Sequence, residues 1–152
     1  MKMWVVSVIC TVLCWGVYVP TIHHGQMAFG GKNTAFRAFL FVGLAYFLSA
    51  AFILTYMTVT KAEPMVLTTR GMALSTLAGL FGAAGALGVI MALKFGGTPI
   101  YVAPLVFAGA PIVNTFVSMI WSKSKAFPSP WFFFGILLAG VGAALVLRFK
   151  PA

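Results

Sequence analysis

Residues 38–59 read AFLFVGLAYFLSAAFILTYMTV and contain no charged side chain. A membrane-spanning helix needs about 20 mainly apolar residues, so this stretch is long enough to cross a bilayer. Four other stretches have a similar character: residues 3–20, 71–93, 99–121 and 131–147. The sequence therefore predicts an all-α membrane protein with five transmembrane helices, in which residues 1–152 form a single five-span membrane domain.

The overall composition is that of a membrane protein. Of the 152 residues, 62% are hydrophobic and 7% are charged, whereas soluble domains carry roughly 25% charged residues. A net charge of +9 also occurs in nucleic-acid-binding proteins. Here, however, the basic residues stand singly at the ends of the apolar stretches, as interfacial anchors do. We therefore expect the lipid bilayer as a partner and no nucleic acid.

The connecting segments differ in length and composition. Residues 21–34 read TIHHGQMAFGGKNT and are too polar to continue across lipid, so we predict an irregular connector there. The KFGG sequence at 94–97 predicts a tight turn. Pro128 and Pro130 predict a break before the fifth span, because proline cannot donate a backbone hydrogen bond.

The basic residues divide evenly between the two sides of a five-span protein. One side receives Lys2, Lys61, Arg70, Lys123 and Lys125, and the other receives Lys32, Arg37, Lys94, Arg148 and Lys150. Lysine and arginine placement normally sets the orientation of a membrane protein. We therefore expect almost no orientation preference. The first side also receives Trp4, Trp121 and Trp131, as an aromatic belt does.

Two polar stripes at helical spacing are candidates for a substrate pathway. The first span's stripe collects Trp4, Ser7, Thr11, Cys14, Tyr18 and Thr21; the fourth span's collects Tyr101, Pro104, Ala108, Pro111, Thr115 and Ser118, with Asn114 beside it. A polar stripe in lipid is expected to face protein or a water-filled cavity, and each proline frees a carbonyl one turn back. Ordinary helix packing explains the same stripes, so both interpretations stay open.

The histidine pair His23 and His24, followed by Gln26, is a third candidate. Imidazole can bind a ligand or relay protons near neutral pH, but a solvated turn is an equal interpretation. Adjacent histidines point in different directions on a helix, so we expect no shared metal site. We also expect no cofactor and no enzyme activity, because Glu63 is the only acid and no catalytic motif is present.

Small residues form ridges on two other spans. The third span has Ser75, Ala78, Gly79, Gly82 and Ala86 at helical spacing, and the fifth has Gly135, Ala139, Gly142 and Ala143. Such ridges let helix backbones approach closely in membranes. We therefore predict that they pack against other helices, and the ridge of the fifth span could also form a dimer seam.

Several segments, taken in order, resemble one family. They are LCWGVYVP in the first span with Trp15-Gly16, GALGVIMALKFGGTPIYVAPLVFAGAPIVNTFVSMIW with the mid-span Pro111, and GILLAGVGAALVLR in the last span. This order is similar to a single five-helix EamA-type repeat of the drug/metabolite transporter superfamily. The chain departs from the family where an acidic residue commonly ends the fourth helix, since Trp121, Ser122 and Lys123 stand there.

The resemblance implies a carrier of small solutes in a membrane, and we expect the bacterial inner (plasma) membrane. A single repeat would pair with an inverted copy or an inverted paralogue, since inverted repeats enclose midplane sites. The predicted substrate is a small neutral or anionic metabolite, and the alternative is a non-transporting accessory or scaffold protein. The predicted pathway residues are Trp15, Tyr18, His23, His24, Tyr101, Pro111, Asn114, Thr115 and Ser118.

Overall fold

The computed structural model describes residues 2–31, 34–122 and 128–150, with the side chain of Ser122 left out. In these ranges the chain forms five α-helices and no strand: α1 (Met3–Ala28), α2 (Ala35–Thr60), α3 (Thr69–Lys94), α4 (Pro99–Ser122) and α5 (Pro130–Arg148). Each helix is long and apolar enough to cross a membrane. The predicted all-α fold with five candidate membrane spans is therefore confirmed, and it is consistent with an integral, multi-pass membrane protein.

The first helix is longer than predicted. We expected it to end at Pro20, with an irregular connector over residues 21–34, but α1 continues through Pro20 to Ala28. Proline removes one backbone hydrogen bond, at a cost of about 3 kcal/mol. The helix nevertheless continues for two further turns, in which Gln26 is buried and bonded to α3. The 26 residues of α1 span about 39 Å at about 1.5 Å per residue, more than the apolar thickness of a bilayer.

Local features of the sequence explain where the helices stop. The chain leaves α1 at Gly30 and Gly31, which adopt φ values of +62° and +75°. Residues with a side chain rarely adopt this region, so glycine suits the turn. At the other end of α2, Lys61 takes the same left-handed conformation (φ 51°) and donates its backbone N–H to the carbonyl of Met57. The predicted KFGG turn is confirmed, since α3 ends at Lys94 and α4 begins at Pro99.

The helices group into two compact units. One unit comprises the chain up to Val19 and from Gly97 onward, and the other runs from Pro20 to Gly96. In the first unit α4 packs against α5, and in the second α2 packs against α3. The predicted single domain over residues 1–152 stays a prediction.

The small-residue ridge of α3 does not pack as predicted within the described residues. A methyl group added at Gly79, Gly82, Gly85 or Gly88 would meet no heavy atom within 4 Å. On α5, Gly135 and Gly142 are equally open, and only Gly140 faces a close neighbour, at 3.7 Å from the Cδ1 atom of Ile112 to an added Cβ. Helix spacing is therefore not set by glycine contacts along these ridges.

The described basic residues lie at or just beyond helix ends. Arg37 and Arg70 stand in first turns, Lys94 and Arg148 in last turns, and Lys61 directly after α2. This placement agrees with the predicted role as interfacial anchors. Lys32, Lys123 and Lys125 lie outside the described residues. The five-and-five division between the sides follows from helix order alone and stays a prediction.

Candidate functional site

Gln26 is the one buried polar side chain among the described residues, with 5% of its surface exposed. Its Nε2 atom donates a hydrogen bond to the backbone carbonyl of Ile90 at 3.0 Å. This bond fixes the orientation of the amide, because a flipped amide would place the Oε1 atom against the carbonyl oxygen of Ile90. The Oε1 atom is thereby directed away from the Ile90 carbonyl.

The Oε1 atom of Gln26 is buried and has no hydrogen-bond partner among the described residues. An unpaired buried acceptor costs about 1–3 kcal/mol, so nearly all such groups in proteins are bonded to protein or water. A donor from outside the described residues would remove this cost. The atom is enclosed by protein in this structure, so the unpaired acceptor is a local cost of burying the amide.

A cavity of about 320 Å³ adjoins this glutamine. It lies where α1 ends, α2 begins and α3 ends, and its described lining residues belong to one compact unit. Its lining residues are His23, Gln26, Met27, Gly30, Gly31, Thr34, Leu93 and Lys94. Small-molecule sites in proteins have volumes of about 300–1,000 Å³, so this cavity suits a small solute.

Both positively charged groups and groups with partial negative charge lie around the cavity. The Nζ atom of Lys94 lies 5.8 Å from the ring centroid of Phe36 and 5.8 Å from that of Phe95. Such cation–π contacts favour an ammonium position over the rings. The N-terminus of α2 adds partial positive charge beyond Thr34, while the C-termini of α1 and α3 add partial negative charge. A solute with both an anionic group and a hydrogen-bond donor matches this combination.

The histidines differ in their relation to the cavity. His23 is half-buried and lines it, whereas His24 is exposed, with 6.2 Å between the two ring centroids. The structure therefore brings the predicted His23 together with Gln26 and Lys94. No cluster of three or more histidine, cysteine, aspartate or glutamate side chains occurs among the described residues. The described part of the chain thus offers no obvious metal site.

Two predicted pathway residues of α1 belong to the other unit. The rings of Trp15 and Tyr18 lie 6.1 Å apart, and Trp15 makes an edge-on contact with Phe107 of α4 at 5.9 Å between centroids. Tyr101, at the start of α4, lies under the Nζ atom of Lys150 at 5.1 Å. Trp15 and Tyr18 are therefore brought together beside α4, where Phe107 is their neighbour.

The remaining predicted residues share α4. Thr115 donates its hydroxyl to the carbonyl of Pro111, one turn earlier, at 2.9 Å. Pro111, Asn114 and Ser118 are exposed, whereas Thr115 is half-buried. The structure therefore joins Thr115 and Pro111 through the helix itself and leaves Asn114 and Ser118 on its surface.

The hydroxyl groups of the α1 stripe are also bonded within their helix. Ser7 donates to the carbonyl of Met3 at 3.3 Å, and Thr11 donates to that of Ser7 at 2.9 Å. Both side chains are exposed in the single chain, so the expectation that the stripe faces protein or a cavity stays a prediction. A hydroxyl one turn after a helical carbonyl can bond it directly, and this removes the cost of placing the group in lipid.

Two main residues of the cavity were not predicted as site residues. Gln26 was noted only beside the histidines, and Lys94 was counted as an interfacial anchor. The three-residue spacing of His23 and Gln26 would have placed both on one helix face, but only if α1 had been extended beyond Pro20. The contact between Gln26 and Ile90 spans 64 positions, and no local pattern encodes it.

The described lining residues of the cavity are suited to binding a solute. They supply one imidazole, one amide, one hydroxyl and one ammonium group. This set can supply hydrogen bonds and one positive charge to a bound molecule. In comparisons with known protein families, curated proteins and solved structures, nothing matches this chain.

Proposed function

We propose that the chain is a secondary transporter, or one half of one, that moves a small neutral or anionic metabolite across a membrane. The cavity lined by His23, Gln26 and Lys94 is the place where the solute enters or leaves the protein. Five helices long enough to span a membrane supply the setting for this activity. The resemblance to a single drug/metabolite transporter repeat supports the same function.

The observation that carries the proposal is the cavity of about 320 Å³ lined by His23, Gln26 and Lys94. It brings an imidazole, an amide and a basic side chain together in a chain with 62% hydrophobic residues. Binding in a transporter must also be weak enough to permit release, and a single amide with one exposed lysine meets that need.

A pair of chains would complete the transporter. Two units of opposite orientation can enclose a site near the membrane centre, and the even division of basic residues permits one gene product to insert both ways. The proposed assembly is therefore an antiparallel homodimer. Pairing with an inverted paralogue is the alternative if all copies insert in one orientation.

A non-transporting accessory or scaffold protein is the second candidate function. One observation favours it: Ser7, Thr11 and Thr115 bond to their own helices and so do not require a water-filled pathway. On this account the polar stripes are passive, and the cavity would hold water only.

Uptake by reconstituted vesicles tests the transport proposal. Purified protein is placed in liposomes, and the entry of radiolabelled neutral and anionic metabolites is compared with that into empty liposomes. Gln26→Leu is the test variant, since leucine has a similar volume and no acceptor. Thr58→Val is the control, because the Thr58 hydroxyl bonds the carbonyl of Thr55 far from the cavity. We expect Gln26→Leu to abolish uptake and Thr58→Val to preserve it.

A further inference from the structure

We propose that two inverted copies of this chain meet through α4, where Asn114 of each copy donates a hydrogen bond to the backbone carbonyl of the partner's Phe107. The inverted arrangement rests on the proposed function, but the contact can be tested without transport. Three properties of α4 carry the inference. They are an exposed amide, a carbonyl that a proline deprives of its donor, and the positions of both relative to the helix midpoint.

The face of α4 that carries Asn114 lies away from α5. α4 packs against α5, and the Cδ1 atom of Ile112 lies 3.7 Å from a Cβ atom placed at Gly140 of α5. At about 100° per residue, Asn114 stands about 160° around the helix from Ile112, and it is exposed in the single chain. The other exposed residues on this side of α4 include Ala110, Pro111 and Ser118. This face is therefore available to another helix.

The amide of Asn114 needs a partner outside its own helix. It offers two N–H donors and one acceptor oxygen. A single bond to a carbonyl of the same helix satisfies a hydroxyl, as in the bond from Thr115 to Pro111, but it cannot satisfy both donors of an amide. Because α4 is apolar enough to cross a membrane and lipid offers no acceptor, a second helix that supplies one would stabilise the amide.

Pro111 leaves such an acceptor on the same helix. Proline has no backbone N–H, so the carbonyl four residues earlier, that of Phe107, loses its usual helical donor. The ring of Phe107 contacts Trp15, whereas the proposed bond uses only its backbone. A donor from a second helix would replace the one that proline removes.

The positions of donor and acceptor match an inverted pair. The midpoint of α4 (Pro99–Ser122) lies between Ala110 and Pro111. Phe107 and Asn114 stand at equal distances on either side of it, about 5 Å along the axis at about 1.5 Å per residue. When two α4 helices cross antiparallel at their midpoints, each Asn114 is level with the partner's Phe107, and two equivalent bonds form, as twofold symmetry requires. A parallel pair would instead place Asn114 level with its own copy.

Single cysteines test the inverted contact. Cys10 and Cys14 are first replaced by alanine, since both are exposed free thiols, and the full chain is then oxidised in liposomes. Ala110→Cys stands next to the midpoint, so a disulfide-linked dimer should form. Ser118→Cys is the matched control on the same exposed face. In an inverted pair its two copies lie roughly 22 Å apart along the axis, beyond the reach of a disulfide, so no linked dimer should form.

A double-mutant cycle tests the bond itself. The dissociation constant of the dimer is measured by Förster transfer between labelled copies over a series of protein-to-lipid ratios. Asn114→Leu removes the donor, and Pro111→Ala gives the Phe107 carbonyl its helical donor back, so each should raise the constant about tenfold. The double variant should dissociate no more readily than either single variant, because both changes remove the same bond. Thr55→Val, whose hydroxyl bonds Ala51 within α2, is the control and should leave the constant unchanged.

Several outcomes would overturn the proposal. A disulfide at Ser118→Cys would indicate a parallel pair, and a dimer without either disulfide would place the contact outside α4. Additive or absent effects in the cycle, or a protein that stays monomeric, would equally refute the bond.

Uptake is measured separately on the same liposomes. Pairing of the proposed kind without uptake would refute transport and leave this inference standing. Loss of uptake in Asn114→Leu at an unchanged dissociation constant would place Asn114 in the substrate pathway, which refutes the contact and supports the transporter.

Discussion

The side-chain amide of Gln26 donates to the backbone carbonyl of Ile90 over 3.0 Å, and it thereby ties the end of α1 to α3. Ile90 is fully buried, so the bond forms in a packed environment shielded from water. The bond also directs the Oε1 atom away from the Ile90 carbonyl, and that atom has no hydrogen-bond partner among the described residues. One bond thus joins the two helices and fixes the orientation of the amide.

Replacement of Gln26 by leucine should barely change stability. The variant loses the bond to Ile90, which contributes about 0.5–1.5 kcal/mol, but it also removes the unpaired buried oxygen, which costs about 1–3 kcal/mol. We expect the free energy of unfolding, measured by titration with sodium dodecyl sulfate, to change by less than about 1 kcal/mol. A large loss would show that Gln26 serves mainly structure.

Replacement of Gln26 by glutamate should be harmful in a pH-dependent way. An ionised carboxylate cannot donate to the Ile90 carbonyl and is buried beside it, at a cost of about 2 kcal/mol or more. A protonated carboxyl group can donate there. The variant should therefore be more stable at low pH, where the carboxyl group is protonated, than at neutral pH. A pH-independent stability for this variant would contradict the proposed geometry.

Removal of the charge at Lys94 should impair uptake without unfolding the protein. Lys94 is exposed and lines the cavity, so loss of its charge should affect solute binding more than folding. We expect Lys94→Met to lower the initial rate of uptake by about fivefold or more. The control Lys150→Met removes an equivalent charge from over the Tyr101 ring. An equal reduction in both variants would indicate a general effect of net charge.

Substitution of Thr115 tests whether α4 lines a substrate pathway or only packs against other helices. Its hydroxyl bonds to Pro111, and that of Thr55 bonds to Ala51 in the same way, at 2.9 Å in both cases. Thr115→Val and Thr55→Val therefore remove the same intrahelical bond. If α4 lines the pathway, only Thr115→Val should reduce uptake, by about tenfold, at unchanged thermal stability. Equal activity of the two variants would favour the packing interpretation of the α4 stripe.

The left-handed conformation of Lys61 should limit stability. A residue with a side chain costs about 1–2 kcal/mol in this region, and glycine avoids that cost while it gives up about 0.5–1 kcal/mol of entropy. We expect Lys61→Gly to raise the free energy of unfolding by about 0.5–1 kcal/mol. Lys61→Ala, which removes the same charge but keeps the strained backbone, serves as the reference and should be no more stable than the unaltered protein.

The even charge division predicts two orientations in the membrane. Reporter tags on both termini, assayed for accessibility on intact cells, should find each terminus on both sides. Lys2→Gln leaves five bases on the C-terminal side against four, so the C-terminus should become more cytoplasmic. Lys150→Gln should shift the population the opposite way. If the C-terminus of the unaltered protein is always on one side, the antiparallel homodimer is refuted.

Composition and periodicity predicted the helices well. In lipid, an uncharged segment such as residues 38–59 is stable as a helix, because a helix hydrogen-bonds its own backbone N–H and C=O groups. The same physics explains the self-bonded hydroxyls of Ser7 and Thr11, whose role in a pathway stays a prediction. A stripe of hydroxyl groups shows which face of a helix is polar, but it does not show whether those groups need a hydrogen-bond partner outside the helix.

The sequence by itself determined five apolar helices and the turns between several of them, because spans of about 20 residues in lipid follow from local composition. Only the tertiary structure decided that α1 continues past Pro20, that Gln26 is buried, and that Lys94 and His23 share a cavity. These features depend on contacts between residues far apart in the chain. The free energy of a buried amide is set by the partner it meets, and neither composition nor spacing specifies that partner.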